Sequence, residues 1–227
     1  MLRPAVGDRC PVLVAHVIFD LDGTLLDSRA DLADAVNHVR HALALPPLDP
    51  FAIHRYVGDG ARALVERALG PTRRELWNEG VERFLAYYDE HLLDRSCLYP
   101  GMMELLAALG AAGVSISVLT NKPEGFSRRI LAGLGVAGAF IDVVGGDTLP
   151  VRKPDPRGVT HLLARAGVSP ARALVVGDSS VDVATARAAR VPFCGVAWGF
   201  DPGDLRGADV PVVAAAATLQ QVVLDPW

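Results

Sequence analysis

Two aspartates, Asp20 and Asp22, close the apolar run VLVAHVIF and open the turn DLDGT. Side chains two residues apart at a strand end project to the same side. One carboxylate can attack phosphorus while the other moves protons. An aspartyl-phosphate on Asp20 would split one hard hydrolysis into two easier steps, with Asp22 protonating the leaving alcohol and then accepting a proton from water. Other apolar runs deliver further polar groups at their ends: Thr120 and Asn121 after VSISVL, Lys153 in RKPDP, and Asp178 and Asp182 in and after ALVVGD. Thr120, with backbone N–H groups at a helix start, suits phosphoryl oxygens, and Lys153 suits the charge on a transferring group.

Asp20, Asp22, Asp178 and Asp182 would bring four carboxylates into one crevice. At about 4 Å and an effective dielectric near 20, each like pair costs on the order of 4 kcal/mol. The chain has only two lysines, Lys122 and Lys153, among its 22 Lys+Arg. Both lysines fall in strand-end segments, yet together they do not balance four carboxylates and a phosphate. The excess negative charge suits a hard divalent cation with oxygen ligands, and Mg²⁺ typically binds one or two carboxylates plus substrate phosphate. The residues therefore predict a metal and an anionic substrate together.

These groups meet only if the strands that carry them lie side by side. Strand-like runs over 12–19, 114–120, 140–146, 173–178, 191–198 and 209–215 alternate, after Pro100-Gly101, with helical patterns over 103–113, 124–135, 156–167 and 182–189. Repeated strand–helix units predict an α/β fold, a Rossmann-like parallel sheet with helices on both faces. In such a sheet ligands sit beyond the carboxyl ends of the strands. Between the first strand and the rest, residues 30–45, 61–69 and 73–93 show only helical spacing. This predicts a core of residues 1–27 and 97–227, with an inserted all-helical cap over 28–96.

Composition narrows the partners. The 227 residues carry 22 Lys+Arg against 26 Asp+Glu, a net charge of −4. No basic stripe exists to neutralise a nucleic-acid backbone. No run of about 18 apolar residues predicts a membrane span. Three widely spaced cysteines, Cys10, Cys97 and Cys194, suggest neither a disulfide framework nor a zinc site, and fit a reducing cytoplasm.

In order and character, FDLDGTLLDS, VLTNKP, RKPDP and GDSSVDV resemble the four motifs of haloacid-dehalogenase-like phosphatases. The resemblance spans nearly the whole chain. It implies Asp20 as nucleophile, Asp22 as acid/base, and Thr120 and Lys153 on the phosphate. It implies Mg²⁺ held by Asp20, the backbone carbonyl of Asp22, and Asp178, with Asp182 supporting the metal shell or the lysine. A narrower likeness, YVGDGARALVERAL and VVGGDTLPVRKPDP, is to the phosphoglycolate phosphatase subgroup. It implies hydrolysis of 2-phosphoglycolate, a small phosphorylated metabolite. The last motif departs from the subgroup's frequent Arg-Asn in having Ser180-Val181. In this family the cap selects the leaving group, and the cap stretch around Tyr56, Gly58, Asp59, Gly60 and Arg62 offers substrate contacts, with Arg62 as a fork for a carboxylate.

Plainer readings stand beside these. Thr120-Asn121 also reads as a helix N-cap, Asp182 as a first-turn charge on a helix dipole, Gly58-Asp59-Gly60 as a turn, and Arg62 and Lys122 as solvated residues. Phe84, Tyr87 and Tyr88 read as packing. A phosphatase, phosphotransferase or mutase for another small phosphorylated metabolite, such as a sugar phosphate, would use the same core with other cap residues, and a phospho-ligand binding protein would keep the fold without the chemistry. Phosphonate cleavage through a cap Schiff base needs a lysine that residues 30–93 do not contain.

Overall fold

The computed structural model describes residues 14–201 and 203–225. Cys10 and the first two residues of the predicted 12–19 strand lie outside that range.

The chain opens with β1 (His16–Phe19), then β2 (Leu26–Asp27) and the helices α1 (Arg29–Ala42), α2 (Pro50–His54), α3 (Ala61–Leu69) and α4 (Trp77–Glu90). It continues through β3 (Cys97–Leu98), α5 (Met102–Ala111), β4 (Ser115–Leu119), α6 (Glu124–Gly133) and β5 (Asp142–Val144). The last third holds α7 (Arg157–Ala166), β6 (Ala173–Gly177), α8 (Ser180–Ala189), β7 (Phe193–Val196), β8 (Val212–Val213) and α9 (Ala216–Leu224).

Six strands form one parallel sheet in the order β5-β4-β1-β6-β7-β8. The fold is α/β and Rossmann-like, as the alternation predicts. Val17 and Phe19 face one apolar layer with Leu105, Leu109, Ile130, Leu219 and Val223 from α5, α6 and α9. Ile18 faces the opposite layer, with Val159 and Leu162 of α7 and Val183 and Ala186 of α8. Burial on both faces is why β1 is a continuous apolar run rather than an alternating one. The strand order reverses at β1, so the crevice for a ligand opens beside its carboxyl end.

Helices α1–α4 lie between β2 and β3, which pair antiparallel with Leu26 opposite Leu98 and Asp27 opposite Cys97. These two-residue strands are too short for any hydrophobic period to announce them. Asp49 and Pro50 start α2. Asp49 accepts a hydrogen bond from the Phe51 N–H at 2.8 Å, and Pro50 occupies the first turn of α2. Helix α9 also escaped the sequence reading, because its nine residues follow an apolar stretch without a break signal. Among the described residues no helix is long and apolar enough to cross a membrane.

Candidate active site

The parallel register sets the site. Phe19 lies level with Val118 of β4 and Val176 of β6, so the residues that follow all emerge at one edge. The backbone N–H of Asp20 donates to Val176 O at 2.9 Å, and that of Thr120 to Val144 O at 2.9 Å. These bonds carry the ladder one residue past each strand and fix where the side chains leave it.

Asp20, Asp178 and Asp182 converge: each offers a carboxylate oxygen, all within 4.8 Å of one another. Lys153, 6% exposed, reaches into the group, its Nζ 2.7 Å from Asp20 Oδ1 and 2.6 Å from Asp182 Oδ1. Asp182 also joins a reciprocal cap at the start of α8, accepting from the Ser179 hydroxyl at 2.6 Å and the Ser179 N–H at 3.2 Å. It is thus both a helix cap and the partner of Lys153, and the two readings of it are compatible. Asp178 accepts from the Phe200 N–H at 2.9 Å and from the Thr24 hydroxyl at 3.3 Å.

Three glycines leave room for these carboxylates. Gly23 has φ +87°, where a side chain is strained, and a Cβ there would sit 2.2 Å from Asp178 Oδ2. A Cβ on Gly199 would lie 2.3 Å from Asp178 Cβ, and one on Gly177 2.4 Å from Asp182 Cγ.

The electrostatics favour a cation. Burial pushes the Asp20 carboxyl up to about 7, against the pull of Lys153 and with the push of Asp182. Burial, then the charges of Asp20 and Asp182, raises Asp178. Lys153 stays protonated: burial opposes its charge, but Asp182 and Asp20 outweigh that and raise it. Three carboxylates against one ammonium leave a net charge that a divalent ion would neutralise, and an all-oxygen donor set suits a hard one. The residues present fit such an ion.

Asp22 has a separate environment. Lys122 Nζ lies 2.9 Å from both of its oxygens and 2.8 Å from the hydroxyl of Tyr88 in α4. The Ser28 hydroxyl donates to Asp22 Oδ1 at 2.5 Å. Lys122 is 6% exposed, which corrects its reading as a solvated residue. Burial opposes its charge, yet Asp22 and Tyr88 hold it above the ordinary lysine range. Tyr88, read as packing, does pack on Phe84, and its hydroxyl adds a polar function. The signal that could have found Lys122 was available: it is one of two lysines in the chain.

Asp20 and Asp22 line two cavities. The first runs under α1–α4 and is walled by Leu32, Val57, Leu64, Phe84 and Phe126, with Thr120, Asn121 and Lys122 at its floor. The second is polar and includes Arg55, Asp59, Arg67, Asp178, Asp201 and Asp204. Asn121 joins the two halves of the chain: its amide donates to Gly58 O at 2.9 Å and to Lys153 O at 3.2 Å. Gly58 therefore lines the site while fastened to the core. Arg62 is not brought there. It bonds Glu66 at 2.9 Å and Asn78 at 2.8 Å on the exposed face of α3 and α4 and lines neither cavity. Its i,i+4 spacing to Glu66 supplied a nearer carboxylate than any ligand. Asp59 is likewise engaged, by Arg67.

A strand-end aspartate cluster with a buried lysine, on a sheet that reverses at β1, defines a class. Residues 17–196 match the model of the haloacid dehalogenase-like hydrolase family, and the chain belongs to that family. It is 47% identical over 192 residues to a phosphoglycolate phosphatase of Rhodospirillum rubrum, covering 81% of this chain and 80% of that protein. It is 42% identical over 208 residues to a phosphoglycolate phosphatase of Chromobacterium violaceum, covering 89% and 94%. A crystal structure described as a predicted phosphoglycolate phosphatase from Haemophilus somnus superposes with a TM-score of 0.86 at 30% identity, covering 92% of this chain and 97% of that one.

Proposed function

We propose that the protein is a Mg²⁺-dependent phosphomonoester hydrolase whose substrate is 2-phosphoglycolate, released as glycolate and phosphate. The observation that carries this reading is Asp20, buried among Asp178, Asp182 and Lys153 with Asp22 beside it. The names of the relatives supply the substrate.

Asp20, Asp178 and the backbone carbonyl of Asp22 would hold the ion. When bound, it supplies positive charge that tolerates the carboxylates and the substrate phosphate together. An Asp20 oxygen attacks phosphorus, and the bond to the ester oxygen breaks as Asp22 gives that oxygen a proton. A water then attacks the phosphorylated Asp20, with Asp22 taking its proton, and phosphate leaves with Asp20 restored. The Thr120 hydroxyl oxygen already accepts from the Lys122 N–H at 3.2 Å, so its own proton is free to donate to a phosphoryl oxygen. Lys153 offsets charge on the transferring group and orients Asp20. Residues 28–96 act as a cap, with Gly58 and Asn121 as its fastening and Asp182 holding Lys153. Closure of that cap excludes water from the charged site. Among the described residues Cys97 and Cys194 form no disulfide, which suits a cytoplasmic enzyme.

A phosphate-release screen over small phosphoesters, with and without Mg²⁺ and with Asp20→Asn as blank, tests the assignment. Turnover by Asp20→Asn would remove the nucleophile. A mutase or phosphotransferase, the second reading, would convert substrate without releasing phosphate.

A further inference from the structure

We infer that Lys122, seated against the Tyr88 hydroxyl, recognises a carboxylate on the leaving half of the substrate and sets the specificity of the site. The inference rests on the phosphomonoesterase reading above.

The cavity under α1–α4 has apolar walls, and a carboxylate entering it loses its water. Such a group is retained only if a cation meets it. Among the residues lining this cavity Lys122 is the one cation, accompanied by two carboxylates, Asp20 and Asp22. The other cavity is no alternative. Its Arg67 is held by Asp59 and Tyr56 O, its Arg55 lies 3.7 Å from Asp201, and six aspartates line it. A second negative group on the substrate would be repelled there.

Position supports the assignment. The ester oxygen must lie within hydrogen-bond reach of Asp22 to receive its proton. In 2-phosphoglycolate the carboxylate carbon is separated from that oxygen by a single methylene. Lys122 Nζ, 2.9 Å from either oxygen of Asp22, is within a side-chain adjustment of that place. Its three N–H groups are all used, two on Asp22 and one on Tyr88. An arriving carboxylate therefore replaces one Asp22 oxygen, and Ser28 keeps Asp22 oriented through its 2.5 Å bond. Tyr88 holds the ammonium from α4, and its ring lies 4.7 Å from Nζ. Lysine also suits the place by shape. A compact ammonium exchanges partners by rotation, whereas a planar guanidinium presents a fixed fork.

The test compares kcat/KM for 2-phosphoglycolate with that for 2-hydroxyethyl phosphate, which carries a hydroxymethyl group in place of the carboxylate. The wild type should prefer 2-phosphoglycolate, and Lys122→Met should lower that preference ~10²-fold. Tyr88→Phe, which keeps the ring, should lower it about tenfold. This variant reads the same ratio if Lys122→Met does not fold. Equal losses on both substrates, leaving the ratio unchanged, would show that Lys122 only holds Asp22 and would overturn the inference alone. A wild type that releases no phosphate from 2-phosphoglycolate would remove the substrate reading and the inference with it.

Discussion

Lys153 and Asp182 meet at 2.6 Å, with the carboxylate of Asp182 almost wholly buried. The pair links the loop after β5 to the first turn of α8 and leaves the Lys153 ammonium 2.7 Å from Asp20. Removing one partner of such a pair leaves an uncompensated buried charge. Asp182→Ala should lower stability by about 3–5 kcal/mol, read from urea denaturation midpoints. Asp182→Asn can still cap α8 and should lose less. Both should lower kcat more than they raise KM, because Lys153 then has one holder instead of two.

The crowding around Asp178 predicts a steric effect from a residue that carries no functional group. Gly199→Ala would place a Cβ 2.3 Å from Asp178 Cβ. Rotating the Asp178 side chain cannot move its Cβ, so the backbone around residue 199 must shift, and with it the bond from the Phe200 N–H to Asp178. The Mg²⁺ concentration for half-maximal phosphate release should rise ~10–100-fold, while the melting temperature falls far less than an unfolded site would require. An unchanged Mg²⁺ dependence would count against Asp178 as a ligand.

Chelation should abolish phosphate release, and Mg²⁺ should restore it. Ca²⁺ should bind without restoring turnover, since it prefers a larger and looser oxygen shell. Titrating each ion into chelator-treated protein, with phosphate release as the readout, separates the two.

His16 predicts how stability varies with acid. It lies buried in β1, with Nδ1 2.7 Å from Ser115 Oγ and Nε2 without a hydrogen-bond partner among the described residues. Burial, partly offset by the bond at Ser115, lowers its pKa from 6.5 to about 4. The unfolded chain binds a proton as pH falls below 6.5, and the folded chain does not until about 4. The stability tied to neutral His16 is therefore complete above pH 6.5 and drains away as pH falls toward 4. Denaturation midpoints measured across that window should decline, and His16→Gln should flatten the decline.

The core of the site was legible because strand ends are. Asp20, Thr120 and Asp178 follow apolar runs directly, and a parallel sheet with helices on both faces leaves such residues one place to gather. Lys153 and Asp182 were legible through RKPDP and the acidic first turn of a helix. The part that lies under α1–α4 was not. Whether Lys122 meets water or Tyr88 depends on where α4 lands, and no local period encodes that. Arg62, for which a solvated reading stood beside the substrate contact, shows the same limit in reverse. Its spacing to Glu66 was visible, but its distance from the cavity was not. Serine at 28 gave no signal at all, since its bond to Asp22 depends on the tight turn between the two.

The pairing of Leu26 with Leu98 and of Asp27 with Cys97 places both ends of the helical excursion over residues 28–96 side by side. The path of the chain into and out of the sheet is thereby set at one place, whatever the length strung between those ends. A different set of helices could leave and return at the same two-rung clasp, provided it restored the apolar contacts that Leu32, Val36, Leu64 and Phe84 share with the cluster under the sheet. On the proposed reading, the part that works on phosphorus and the part that inspects the departing alcohol meet in the backbone at these four residues and through side-chain bonds such as Asn121 to Gly58 O and Lys122 to Tyr88.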